Sequence, residues 1–132
     1  MAIDRFRFNE RSTGVIEGDI IDADGNLVPA EDLTEATLTL YDLETVIPGN
    51  SPAGQINGRD GQDVLNANDV SIDAVSPSTI GHFIWSVQPE DNIIVTERRQ
   101  VERHRAMFRF AWATGEFRYE CEIEVVNLRM AS

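Results

Sequence analysis

His104-Arg105-Ala106-Met107-Phe108-Arg109-Phe110-Ala111-Trp112, followed after four residues by Phe117-Arg118-Tyr119-Glu120-Cys121-Glu122-Ile123-Glu124-Val125, is the stretch that decides the fold. Both halves alternate with a period of two, which belongs to strands and not to helices. His104, Ala106, Phe108, Phe110 and Trp112 share one face of the first strand, and Phe117, Tyr119, Cys121, Ile123 and Val125 share one face of the second. A two-residue turn at Thr114-Gly115 joins them as a hairpin. It sets Trp112 opposite Phe117, Phe110 opposite Tyr119, Phe108 opposite Cys121 and Ala106 opposite Ile123. The other face then pairs Arg109 with Glu120 and Arg105 with Glu124. A slip of one residue would bury those charges, so packing and electrostatics select the same register.

The same alternation recurs upstream. Phe83, Trp85 and Val87 face one way against His82, Ile84 and Ser86, and Ala36, Leu38 and Leu40 face inward against Thr37, Thr39 and Tyr41. A first strand spans Gly14 to Asp22 and ends at the turn Ala23-Asp24-Gly25-Asn26. Val70, Ile72 and Ala74 form a short strand, Ile93 to Thr96 another, and Glu97 to Arg103 a charged link. Thr45 to Asp63 is too dense in Gly, Pro, Asn and Asp to sustain a strand of any length and reads as a long loop with a short strand near Gln55 and Ile56. About seven to eight short strands without an amphipathic helix predict an all-β fold, a single antiparallel β-sandwich over residues 14–132. A small closed barrel satisfies the same count. Residues 1–13 read as an extended N-terminal arm, with Phe6 and Phe8 flanked by Arg5 and Arg7 and no turn to return them to the core.

A chain of 132 residues fits one domain with one core. Its one cysteine, Cys121, lies on the inward face of the hairpin and behaves as a small apolar residue. The start of the chain lacks the apolar run of a signal peptide and no stretch approaches the roughly 18 apolar residues of a membrane span, so assembly in a cytoplasm without a membrane partner is expected. The net charge of −12 argues against nucleic acid as a partner. Residues 12–97 hold sixteen acidic side chains against Arg59 alone, a balance of −15, whereas residues 98–132 balance at +2 and residues 1–11 at +1. Such asymmetry serves charge-complementary contact between subunits, or plain solubility. All eleven basic residues are arginine, as a GC-rich genome would produce.

Catalytic and metal motifs fare poorly. Asp22, Asp24, Gly25 and Glu31 partly match a calcium loop, but the alignment puts Ile20 at the first ligand position, so Asp24-Gly25 reads as a turn. His82 and His104 lie in separate strands without close ligand partners, and a Glu102/His104 pair on one strand face reads as a structural hydrogen bond or a surface position. Cys121 faces the core, away from the open electropositive setting that a nucleophilic thiol needs. The sequence predicts no enzyme, no cofactor and no metal.

With the strands assigned, four runs become informative in their order: Leu38-Thr39-Leu40-Tyr41-Asp42, then Ile56 to Asn66, then Trp85 to Val95, then Glu102 to Phe108. This order resembles small structural proteins of tailed bacteriophages. The opening, Ile20-Ile21-Asp22-Ala23-Asp24-Gly25-Asn26 leading to Leu33-Thr34-Glu35-Ala36-Thr37-Leu38, is similar to the immunoglobulin-like domains of phage capsids and baseplates. The resemblance implies an immunoglobulin-like sandwich and a non-enzymatic virion protein, a capsid decoration or cement protein that binds the major capsid protein or other virion subunits. It further implies a homo-oligomer, most simply a trimer. Partner contacts are then expected from Arg5, Phe6, Arg7 and Phe8 of the arm and from Pro48, Asn50, Pro52, Asn57 and Arg59 of the long loop. Two alternatives stand beside this one. The chain can be a head–tail, tail or baseplate component, or a carbohydrate-binding module for a host surface, with Tyr41, Trp85 and Trp112 as its ligand-facing aromatics.

Overall fold

A computed structural model describes residues 3–43, 55–73, 80–95 and 99–128. The chain builds eight strands: β1 (Asp4–Asn9), β2 (Gly14–Asp19), β3 (Leu33–Asp42), β4 (Gln62–Asp63), β5 (Val70–Ile72), β6 (His82–Val87), β7 (Val101–Trp112) and β8 (Gly115–Val126). They form a five-stranded sheet in the order β1-β8-β7-β3-β4 and a three-stranded sheet in the order β2-β6-β5. This is the expected all-β sandwich. Every strand pair is antiparallel except that of β1 with β8.

Alternation determines the core. Ile16 from β2, Ala36, Leu38 and Leu40 from β3, Phe83, Trp85 and Val87 from β6, Ala106, Phe108 and Phe110 from β7, and Cys121, Ile123 and Val125 from β8 are all buried. Phe83 stands at the centre, with its ring 5.3 Å from Phe108, 5.0 Å from Phe110 and 5.4 Å from Tyr119 between centroids. Burial pushes the Cys121 thiol up to about 12, which keeps it protonated and unreactive.

The hairpin forms with the faces as expected but with different partners. The turn is Ala113-Thr114, so Trp112 faces Gly115, Phe110 faces Phe117, Phe108 faces Tyr119 and Ala106 faces Cys121. A shift of two residues preserves every side chain's face, which is why alternation alone does not fix it. At the turn the Trp112 indole lies close over Gly115, where a Cβ would stand a tight 3.2 Å from the ring. On the outer face Arg109 now faces Arg118 and Arg105 faces Glu122. The ion pairs run diagonally instead, Arg105 to Glu120 at 3.9 Å and Arg109 to Glu116 at 2.9 Å.

Two further expectations change. Residues 4–9 are extended, yet they are not a free arm: β1 pairs in parallel with β8, placing Phe6 beside Ile123 and Phe8 beside Val125. The alternation of β8 is thereby extended onto β1, and both phenylalanines pack against the core while Arg5 and Arg7 point outward. The link from residue 97 shortens because Val101, Glu102 and Arg103 already belong to β7, while residues 93–95 are not a strand and Ile93 and Ile94 pack on the core from a loop.

Candidate functional site

The outer face of the five-stranded sheet carries charge in stripes. In-register pairing sets Arg5 beside Glu122 and Arg7 beside Glu124, at 3.4 and 3.6 Å. Glu122 also lies 4.0 Å from Arg103 of β7, and Arg109 reaches Glu35 of β3 at 2.8 Å. Arg5, Glu122 and Arg103 thus link β1, β8 and β7, and a separate pair six residues along β7, Arg109 with Glu35, links β7 to β3. Arg118 and Arg109 both bond Glu116 and hold its carboxyl below the usual carboxylate range. Pairs between exposed side chains add little to stability, and Glu122, with a side chain 9% exposed, is the enclosed acid of this face. Arg5 and Arg7 are the most accessible cations described on β1 and β8 alongside Arg118, with side chains 74% and 63% exposed. Beyond β1 no further strand pairs with this sheet among the described residues.

Arg59 does something other than expected. Its side chain is 4% exposed and points inward, where Nε donates to Asp91 Oδ1 at 2.6 Å and Nη2 to Asp91 Oδ2 at 3.0 Å. Nη2 also bonds Asp69, Nη1 donates to Gln62 at 2.9 Å, and the guanidinium lies 5.7 Å from the Trp85 ring centre. Asn57 joins the same carboxylate, donating from Nδ2 to Asp91 Oδ1 at 2.9 Å. Arg59 is not free to meet a partner: a buried guanidinium must have its donors satisfied, and the fold satisfies them internally, whereas Asn57 remains exposed. The Arg59 backbone completes the clamp, its carbonyl accepting from Leu40 N–H at 2.9 Å while Ile56 N–H donates to the Leu40 carbonyl. The second half of the long loop is therefore part of the core wall. Pro48, Asn50 and Pro52 lie outside the described residues.

A second buried polar cluster lies on the same inward face, two residues beyond Leu40. Following β3 past Leu38 and Leu40 leads to Asp42, and following β7 back past Phe108 and Ala106 leads to His104 and Glu102, all three fully buried. Asp42 and His104 are register partners. Glu102 Oε1 lies 2.6 Å from His104 Nε2 and accepts from Val95 N–H at 2.7 Å. Arg99 Nη1 donates to both Asp42 oxygens, at 2.8 and 3.1 Å, and lies 3.6 Å from Glu102. Of the two roles open to the Glu102/His104 pair, the structure shows the hydrogen bond and not the surface position; Asp42 and Arg99 have no part in the sequence reading of this pair.

His82 sits on the outer face of the smaller sheet, bonded to Asp19 at 2.9 Å and facing Glu17 at 3.2 Å across β2. The hydrogen bond to Asp19 raises its pKa above the ordinary 6.5. Charged His82 is thus favoured in the fold, its contribution complete below the unfolded value and lost as pH climbs through the raised folded one. Urea midpoints of wild type and His82→Gln should separate below about pH 6 and converge by about pH 8. Parallel curves across that range would show that His82 does not act this way.

The turn reading at Asp22 holds: Asp22 Oδ1 accepts from Asp24 N–H and Asn26 N–H, both at 2.9 Å, and Gly25 takes a φ of 84°. Of the aromatics considered for a sugar ligand, Trp85 is wholly buried and Tyr41 OH is directed at Met107 Sδ, 3.9 Å away. No protein-family model matches the chain, and no curated protein matches it.

Proposed function

We propose that this chain is a non-enzymatic structural protein that adheres to other subunits, and specifically a capsid decoration or cement protein of a tailed-bacteriophage virion. The sequence resemblance supplies the class. The observation that carries the adhesive reading is β1, an edge strand presenting Arg5 and Arg7 to solvent on a protein of net charge −12. An open strand edge offers backbone groups for pairing with another chain, and exposed cations beside an acidic body favour an acidic patch on that chain. The ion pairs from Arg5 and Arg7 to Glu122 and Glu124 continue the charged surface onto β8. A sugar-binding role has less support, since Trp85 belongs to the core.

Deleting the first eleven residues would be a poor test, because it removes a strand of the sheet together with Phe6 and Phe8. The substitutions Arg5→Gln and Arg7→Gln keep the stems and remove only charge. The double variant should retain its circular dichroism spectrum and melting point while binding about tenfold or more weakly to capsids assembled from the major capsid protein of the same genome, read by co-sedimentation. Wild-type protein that fails to co-sediment, or a double variant that binds as wild type does, overturns the reading.

A further inference from the structure

We propose that Asp42, Glu102 and His104 form a binding site for one divalent transition cation of the zinc type, in the place that the Arg99 guanidinium now fills. One ligand atom from each of the three lies within 4.8 Å of the other two, close enough for a single ion to meet all of them after small side-chain adjustments. The second observation is His104 itself. Its Nδ1 is buried and has no hydrogen-bond partner, although the ring lies in an interior where such an orphan is costly. Glu102 Oε1 lies 2.6 Å from the other nitrogen, Nε2, so the ring meets a carboxylate at one edge only. A fully buried imidazole beside two fully buried carboxylates is a donor set for a metal ion.

The chemistry of the set favours one class of ion. Magnesium and calcium are held by oxygen donors, whereas a histidine with carboxylates suits zinc and its neighbours. Arg99 already shows that a cation belongs here, since a single atom, Nη1, approaches oxygens of both Asp42 and Glu102. Its side chain is 23% exposed and reaches in from the segment before β7, so it has a route outward when an ion enters. Metal binding would then join β3 and β7 through Asp42 and His104. It concerns stability and does not depend on which partner the outer sheet face meets.

The test uses the purified full chain, zinc chloride as the probe, thermal unfolding, and metal content after gel filtration. Wild type should retain one equivalent of zinc and melt higher with zinc than with a chelator. His104→Gln should retain none and show no zinc-dependent shift. Arg99→Ala, at a partly exposed position, removes the competing cation and should bind zinc about tenfold more tightly than wild type. His82→Gln removes the other place where a histidine meets two carboxylates and should bind as wild type does. A wild type that retains no zinc, binding that survives His104→Gln or disappears with His82→Gln, or an Arg99→Ala protein with unchanged affinity, overturns the proposal. If His104→Gln fails to fold, the Arg99→Ala and His82→Gln results decide it.

Discussion

Replacing Arg59 with methionine is expected to cost about 3–5 kcal/mol, the range for removing one partner of a buried ion pair and leaving the other uncompensated. Methionine approximates the stem of arginine and so keeps most of the packing against Trp85. It abandons Asp91, which is 1% exposed, and half-strips Asp69. Asp91 retains Asn57 and the Gln88 N–H that it accepts at 2.9 Å, but no positive charge among these partners. Urea denaturation followed by tryptophan fluorescence measures the loss directly, because Trp85 lies in the affected cluster. Adding Asp91→Asn to Arg59→Met should return part of the stability by neutralising the stranded carboxylate, whereas Asp91→Asn alone destabilises. A loss below about 1 kcal/mol for Arg59→Met would mean that the cluster relaxes or hydrates, and that the loop from 55 onward is not held as described.

Truncating Phe83 to alanine is the other large effect, about 3–5 kcal/mol from lost transfer energy and the cavity left behind. Phe83 touches Phe108, Phe110 and Tyr119 from the opposite sheet, so its removal opens the interface between the layers. Gly18 of β2 lies directly against it: a Cβ there would stand 2.9 Å from Phe83 Cε1. Gly18→Ala should therefore destabilise the wild type by crowding the ring and yet stabilise the Phe83→Ala protein by filling part of its cavity. That change of sign is a coupling of neighbours that a double-mutant cycle isolates. Additive effects would show that the two positions are not in contact.

Much of the fold was legible because a strand's side chains alternate with a fixed period, and burial of one face makes the alternation visible. Phe83, Trp85 and Val87, or Leu38 and Leu40, need no partner to announce which way they point. Register is harder. Pairing Phe108 with Cys121 or with Tyr119 satisfies alternation equally, and the observed choice sets the Trp112 indole close over Gly115, a contact that alternation does not reveal. The phenylalanines at 6 and 8 were visible as a face, but their destination was not, since parallel pairing with β8 depends on contacts more than a hundred residues away.

The buried polar clusters left signals that went unused. Arg59 is the single base in residues 12–97, and a lone cation amid sixteen acids is a natural centre for an internal ion cluster. Which acids it takes, Asp69 and Asp91, follows only from the turn at 89–91 and the approach of the loop to β3. Likewise, counting by twos from Leu40 reaches Asp42, and from Ala106 reaches His104 and Glu102. Parity alone places all three inside. It does not reveal that Arg99 accompanies them, because nothing periodic governs the segment before β7.

The parallel run of β1 along β8 has a mechanical consequence. Tension applied at the leading end of β1 and the trailing end of β8 draws the two strands past each other lengthwise, so all six register pairs from Asp4 with Cys121 to Asn9 with Val126 bear the load together. An antiparallel seam pulled from its open end would instead peel one bond at a time. A domain tethered at those two points would resist shear through its backbone ladder and yield abruptly.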